Sequence, residues 1–479
     1  MADTAYDCIV IGSGPGGYVA AIRAAQLGKK TAVVEKDKVG GRCLNYACIP
    51  AKAVLRSADM LDEIREAGDY GLRVSDVEVD YPAVQGRRER VVATLVSGVG
   101  GLFKKGSIEL IEGEASLAPR DGTGNGSAGE GVRVRVGPRR PGREQSLVAP
   151  TVILATGSVK RSIPGVELGG RVIGTEEAWA LSELPARLAV VGAGASGAEI
   201  ASGFARLGSE VMLFEVLPRA LPTEDADVSR LAERGFKRQG ISIFPGTRVE
   251  AVQTGDTSVR FSYGGGADGE TRSAEVDQLV IAAGRDPDVQ ALGLAEAGVE
   301  LDGSGLVKVD GAQRTSAAGV YAIGDLVHGP ALAHKASEEG IIAVEDSAGL
   351  PTHPLAYVDI PRATFCTPNI GSFGLTEEQA REQGYDVVVG KVPYGAVGGG
   401  IVYGDRTGLV KLVGEHKYGE LLGGHIVGSR ATELIQELVN VRVLEGGFAE
   451  VARIIHGHPT LSEAVMEAGR AADGWLIHG

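Results

Sequence analysis

The sequence predicts an α/β protein with two Rossmann-like domains followed by a C-terminal α+β domain, on three observations. A strand, a Gly-x-Gly-x-x-Gly turn, a helix, a second strand and a terminal acid follow one another near the start. The same series returns at a constant offset of 180 residues. From about residue 355 the pattern changes to strands, over 408–413 and 421–427, and two helices. The length, 479 residues, suits about three domains at ~150 residues each.

The elements take up this expectation in order. Residues 6–11 form a short apolar strand that enters Gly12-Ser13-Gly14-Pro15-Gly16-Gly17, and an Ala-rich helix follows and ends at Leu27-Gly28. A strand over 31–34 then ends at Glu35. Glycines in such a turn allow a tight bend and close backbone approach, the helix N-terminus faces a pyrophosphate, and the acid accepts from ribose hydroxyls. Adding 180 carries Gly12, Gly14, Gly17, Leu27, Gly28 and Glu35 onto Gly192, Gly194, Gly197, Leu207, Gly208 and Glu215. Two dinucleotide sites therefore share one chain. A carboxylate at Glu215 repels an adenosine 2′-phosphate, and Val216-Leu217-Pro218 supplies no guanidinium, so the second site favours NAD over NADP. Arg219 stands close enough to soften that preference.

Four residues separate Cys43 from Cys48, a spacing that lets the chain curl into a disulfide. Pro50 near the first turn of a helix starting at 48–49 puts Cys48 at a helix N-terminus, where the dipole favours a thiolate. Inert packing of both thiols, or half of a zinc site, are the other readings, although Cys8 and Cys366 stand alone and fit ordinary packing. Near the end, His456-Gly457-His458-Pro459-Thr460-Leu461-Ser462-Glu463 uses two of eight histidines. His458 reads as a base for a thiol with Glu463 orienting it. Thr460 with Glu463 equally reads as a capping box opening a helix over 464–472. Both roles can coexist.

Composition narrows the function. There are 72 glycines, well above the usual ~7%, yet no Gly-X-Y period, and 43% of residues are hydrophobic. Collagen and wholesale disorder are excluded. With 48 basic and 62 acidic residues the net charge is −14, which disfavours nucleic acid or anionic membrane as the main partner. No apolar run reaches the ~18 residues of a membrane span, no secretory leader is visible, and only four cysteines occur. A soluble cytoplasmic protein is expected, and no metal site.

Gly40 to Lys52 (GGRCLNYACIPAK), the doubled nucleotide motif, Ala322-Ile323-Gly324-Asp325, Leu332-Ala333-His334-Lys335 and the His458–Glu463 segment together resemble the dihydrolipoamide dehydrogenases, a group of flavoprotein disulfide reductases. The resemblance runs nearly end to end. It implies FAD on Gly12, Gly14, Gly17, Glu35, Lys52, Ala115, Thr156, Gly157, Asp325, Leu332, Ala333 and His334. It implies NAD on Gly192, Gly194, Gly197, Glu215 and Gly284. It further implies a redox disulfide between Cys43 and Cys48, a Lys52–Glu199 ion pair beside the flavin, and His458 with Glu463 as the acid–base pair. The implied division is an FAD domain from 1–158 and 285–354, an NAD domain over 159–284 and a dimerisation domain over 355–479. In the implied homodimer, His458 serves the partner subunit's cysteines. Lipoyl groups, free or on a lipoyl domain, are the implied substrate, and an acyltransferase subunit of a 2-oxoacid dehydrogenase complex is a candidate partner.

Departures cluster near the thiols. The family more often has Thr at Arg42, Val-Gly at Tyr46-Ala47 and Ser at Ala51. These differences keep a second reading open, an NADH-dependent reductase of another disulfide, a quinone or a metal ion; against a third, a scaffold subunit of a 2-oxoacid dehydrogenase complex, stand the intact Cys43, Cys48, His458 and Glu463. Residues 119–143, rich in glycine and arginine, read as an extended hairpin with a mobile tip.

Overall fold

Runs of four or five apolar residues with no turn former between them are the signature of parallel strands buried on both faces. Such runs form the two central sheets of the computed structural model, which describes residues 4–119, 131–138, 144–265 and 269–479. The chain divides into two compact units. The first comprises Met1–Pro50, Gly86–Arg161 and Arg285–Tyr357. The second comprises Ala51–Gln85, Ser162–Gly284 and Val358–Gly479.

In the first unit, Thr31–Glu35, Cys8–Ile11, Thr151–Leu154 and Val320–Ala322 lie side by side and parallel. Glu109–Leu117 extends the parallel set beyond Thr31–Glu35. Val132–Pro138 pairs antiparallel with Glu109–Leu117 on one side and with Gln145–Ala149 on the other, so of the expected hairpin over 119–143 the alternating stretch 132–136 is a strand of the sheet. The hairpin's Gly-rich tip and Arg139, Arg140 and Arg143 lie outside the described residues, while Arg135 stands within a strand.

The second unit repeats the order. Glu210–Phe214, Arg187–Val191 and Gln278–Ile281 are adjacent and parallel, with Ser242–Phe244 and Val172–Gly174 at the edges. Residues 51–85 belong here because Val54, Leu55, Ala58 and Leu61 share a core with Ile200, Ala201 and Phe204. The C-terminal segment builds a five-stranded antiparallel sheet, Arg362–Thr364, Ile370–Gly374, Leu421–Val427, Leu409–Glu415 and Val387–Pro393, with helices Ala431–Val443 and Glu463–Ala472. Sequence patterning indicated only two of these strands; Ile370–Gly374 contains two glycines, and Arg362–Thr364 has only three residues.

One row of side chains crosses that whole sheet. Arg362, Ser372, His425, Lys411 and Lys391 stand directly opposite one another on the five strands. Acids meet the row: Lys411 Nζ lies 2.8 Å from both Asp225 oxygens, 3.0 Å from Asp227 and 2.8 Å from Glu377. Lys391 reaches Asp227 at 2.6 Å and Arg362 reaches Glu224 at 3.5 Å. The row thus ties residues 224–227 to the sheet and helps make one unit of two distant stretches of chain.

Candidate active site

Each glycine loop sits where the strand order reverses, after Cys8–Ile11 or Arg187–Val191, whose neighbours are the next strand of the repeat and a strand that arrives later in the sequence, Thr151–Leu154 or Gln278–Ile281. The backbone at Gly12 and at Gly192 adopts φ +101°, which side-chain-bearing residues rarely tolerate. A Cβ at Gly12 would lie 2.4 Å from Ala155 O, and one at Gly192 would lie 2.6 Å from Ala282 O. At the third glycine the fit is closer still, with Gly17 and Gly197 Cβ positions 2.0 and 1.8 Å from the carbonyls of Gly12 and Gly192. Gly14 and Gly194, by contrast, face open space and precede helices Pro15–Gln26 and Ala195–Leu207, neither with an acid in its first turn. The terminal acids close both loops. Glu35 accepts from Ser13 N–H at 2.8 Å and Asp37 N–H at 2.8 Å, and Glu215 accepts from Ala193 N–H at 2.8 Å and Leu217 N–H at 3.0 Å. The repeat therefore extends to individual hydrogen bonds. Arg219 is turned to Glu378, at 3.1 Å, and to the carbonyl of Glu224.

The thiol segment continues from the first loop. Gly41 packs so closely that its Cβ would lie 2.7 Å from Gly14 Cα, and Gly40 N–H donates to Ser13 Oγ at 3.2 Å. Cys43 lies in the short helix Gly41–Asn45 and Cys48 opens the helix Cys48–Arg65, both half-buried. Asn45 holds the turn by donating to the carbonyls of Val39 and Gly41 at 2.9 Å each. Cys8 and Cys366 are fully buried, and burial pushes the Cys8 thiol up to about 12.

One turn beyond Cys48, Lys52 Nζ stands 2.8 Å from each oxygen of Glu199. Phe365, which the sequence did not single out, completes that carboxylate's shell: its N–H donates at 2.9 Å and its ring lies 4.8 Å from the ammonium. Nothing in a lone phenylalanine signals this, because the donor is main chain. Lys335 and Glu339 were also missed as a pair. They sit four residues apart on Ala333–Ser347, almost wholly buried, and grip the Gly324–Asp325 turn through Gly324 O at 2.8 Å and Gly324 N–H at 2.7 Å. Tyr357 donates to Glu339 at 2.7 Å. Burial pushes Lys335 down and Glu339 up, each toward its neutral form. Their i, i+4 spacing on the helix Ala333–Ser347 was the available signal.

The other expected cofactor residues fall into both units. Asp325 accepts from Ser158 Oγ, Thr156 Oγ1 donates to Asp288 O at 2.7 Å, and Gly157 has φ +76°. Ala115 is buried in the sheet, Leu332 and His334 flank the start of the helix Ala333–Ser347, and Gly284 has φ +113° at the end of the second unit's sheet.

At the C-terminus, His458 Nδ1 lies 2.9 Å from Glu463 Oε1, and Thr460 N–H donates to Glu463 Oε2 at 2.9 Å. One carboxylate thus serves both the ring and the backbone. The reciprocal half of the expected capping box is missing: the Thr460 hydroxyl donates to Gly457 O at 2.7 Å instead, and the helix begins at Glu463 after an uncapped Ser462. Burial opposes ionisation of Glu463, but the Thr460 amide and His458 outweigh it and hold the carboxyl below its ordinary range. The His458 side chain is 75% exposed, whereas His456 is buried against Glu437.

Known proteins match this arrangement. A family profile described as "Pyridine nucleotide-disulphide oxidoreductase" covers residues 6–340, and one for that family's dimerisation domain covers 360–469. The chain belongs to the pyridine nucleotide-disulphide oxidoreductase family, enzymes that bind FAD and NAD(H). Dihydrolipoyl dehydrogenase of Rhizobium etli is 42% identical over 99% of both chains, and that of Bacillus subtilis is 40% identical over 99% of both. The crystal structure of LpdA from Mycobacterium tuberculosis superposes with TM-score 0.88 at 27% identity, covering 97% of this chain and 99% of that one. A Cu(II) complex of the flavoprotein disulfide reductase RclA from Escherichia coli superposes with TM-score 0.84 at 26% identity, covering 98% and 99%. Within the family the chain groups with the dihydrolipoyl dehydrogenases. The glycine loops suit the cofactors: open space over two helix N-termini, with a buried carboxylate closing each loop, fits adenosine diphosphate groups. No helix among the described residues is long and apolar enough to cross a membrane.

Proposed function

We propose that this enzyme oxidises dihydrolipoyl groups, free or carried on a lipoyl domain, to the cyclic disulfide by way of a Cys43–Cys48 redox disulfide, with NAD+ as final acceptor. The observation that carries the reading is the thiol segment anchored on the first of two equivalent nucleotide loops. In this reading His458 takes the proton of one dihydrolipoyl thiol, and the thiolate attacks Cys43 and forms a mixed disulfide, releasing the Cys48 thiolate. The second dihydrolipoyl thiolate then displaces Cys43. The substrate leaves as a disulfide, and two electrons and two protons remain with Cys43, Cys48 and His458. FAD, when bound, supplies the two-electron carrier between dithiol and nicotinamide. Gly12, Gly14, Gly17, Glu35, Ala115, Thr156, Gly157, Asp325, Leu332, Ala333 and His334 would hold it, with Lys52 set beside the ring by Glu199. Gly192, Gly194, Gly197, Glu215 and Gly284 would hold NAD, and the engagement of Arg219 with Glu378 supports NAD over NADP.

The same reading takes 1–158 with 285–354 as the FAD domain, 159–284 as the NAD domain and 355–479 as the dimerisation domain. It places the enzyme in the cytoplasm as a homodimer in which His458 of one copy serves the thiols of the other. The exposure of His458, and of Ile454 and Ile455 beside it at 44% and 95%, supports an interface there. An acyltransferase subunit of a 2-oxoacid dehydrogenase complex is the matching partner.

Steady-state NAD+ reduction by dihydrolipoamide tests the reading. Cys48→Ser should abolish turnover, and His458→Ala should lower kcat about 10²–10⁴-fold. Glu463→Gln should cost about 10–100-fold, because an amide donating to Nδ1 moves the ring proton to the nitrogen that must act as base. A purified yellow protein without dihydrolipoamide turnover would redirect the assignment to another disulfide.

A further inference from the structure

Tyr46 lies between the two cysteines, at a position where the resembling enzymes more often carry a valine, and it makes a contact that valine cannot. Its hydroxyl donates to Asp37 Oδ2 at 2.6 Å, and the Lys38 ammonium stands 4.9 Å from its ring centre. Asp37 is the residue whose N–H donates to Glu35 Oε1 at 2.8 Å. The other Glu35 oxygen accepts from Ser13 N–H and from the Ser13 hydroxyl, at 2.8 and 2.6 Å. On its other side Tyr46 is continuous with the turn holding Cys43, since the Tyr46 and Ala47 N–H groups both donate to Arg42 O, at 2.9 and 3.0 Å. A connected chain of hydrogen bonds and covalent bonds therefore runs from the first glycine loop through Glu35 and Asp37 to the segment joining the thiols. The equivalent acid of the second unit, Glu215, is followed at the Asp37 position by Leu217, which has no acceptor to offer a hydroxyl.

We propose that Tyr46 is a positioning residue that latches the Cys43–Cys48 segment to the strand end bearing Glu35, so that retention of FAD and accessibility of the two thiols depend on each other. The proposal rests on the reading of Glu35 as the ligand of the FAD adenosine ribose. Binding energy at Glu35 then orders Asp37, Tyr46 and the thiol turn together, and loss of the hydroxyl uncouples them while leaving the ring and its cation contact in place. Linkage makes the effect reciprocal: a loosened thiol segment weakens FAD binding, and an empty ribose site exposes the thiols.

The test compares the parent, Tyr46→Phe, Asp37→Ala and the double variant, each checked for folding by circular dichroism. The two readouts are the rate of FAD release, followed by flavin fluorescence, and the alkylation rate of Cys43 and Cys48 by iodoacetamide after reduction with excess dithiothreitol. One solvent-exposed hydrogen bond predicts increases of about 3–10-fold in both rates for Tyr46→Phe. The double variant should be no faster than the faster single, since both remove one interaction. Unchanged alkylation, faster alkylation without faster FAD release, or rates that multiply in the double variant would each overturn the latch. A parent that takes up no FAD would overturn the flavoenzyme reading and the coupling with it. Variants that match an FAD-holding parent would overturn the latch alone.

Discussion

The two nucleotide loops are built on one plan and differ in how firmly their acids are held. Glu35 accepts three hydrogen bonds, two of them from Ser13, whereas Glu215 accepts two, because Ala193 replaces that serine. The residues after the acids diverge as well. Lys36, Asp37 and Lys38 are committed to Asp288, Glu35 with Tyr46, and the Tyr46 ring, while Val216 and Leu217 stand 58% and 49% exposed. A carboxylate that is locked from several sides suits a group that stays. One with acceptor capacity to spare, beside exposed apolar surface, suits a group that arrives and leaves. On the proposed assignment, three or four side chains would tune a single scaffold for a resident flavin and an exchanging nicotinamide.

The largest expected effect separates the loops outright. Alanine at Gly17 would place a Cβ 2.0 Å from Gly12 O, and alanine at Gly197 would place one 1.8 Å from Gly192 O, both against backbone. Gly17→Ala should yield protein without FAD, read from the absent visible absorbance. Gly197→Ala should remain yellow and lose NADH affinity by at least about 10²-fold, equivalent to a few kcal/mol of distortion. FAD loss in both variants would mean that the loops do not hold separate ligands.

A smaller pair of substitutions addresses the acids. Glu35→Ala removes the acceptor of three donors and Glu215→Ala of two, at about 1–3 kcal/mol for each buried donor left unpaired. Thermal unfolding should therefore shift further for Glu35→Ala, while the NAD dissociation constant should rise about 10–100-fold only for Glu215→Ala. Equal thermal shifts would remove the distinction between a locked and an open acid.

The plan that the two loops share was legible in the sequence. The 180-residue offset, Glu35 and Glu215, the Cys43–Cys48 spacing and the His458–Glu463 segment are local patterns in which residue type and chain distance dictate the geometry. What stayed hidden depends on contacts that no local pattern encodes. Asp37 meets Tyr46 only because Gly40 and Gly41 fold the chain back on Ser13 and Gly14. Phe365 reaches Glu199 through its main chain, which carries no residue identity. The row from Arg362 to Lys391 requires the register of five strands, one of them bulged at Val413/Gly414.

Acid should act with opposite sign on the buried charges of the two units. In the second unit, His425 is fully buried with Nε2 against Leu375 O at 2.9 Å, and burial holds its pKa below 6.5 despite Asp225 and Glu224; Arg362 also disfavours its charge. Stability from the neutral ring is present above pH 6.5 and falls as the pH drops toward the folded-state value. Burial opposes the charges of Asp225 and Asp227, but Lys411 helps hold both carboxyls below 3.8; Lys411 likewise holds Glu377 below 4.5, so their contributions are lost as acidity increases further. In the first unit, burial holds Glu339 above 4.5, so the folded state takes up its proton first and acid relieves that group. Amide exchange at pH 7 and pH 5 should accordingly show protection falling around Ser372, Lys411 and His425 while the Gly324–Glu339 region changes less. His425→Gln, which cannot charge, should flatten the fall in the second unit between those pH values. An equal fall in both units, or one untouched by that substitution, would place the acid response outside the buried row.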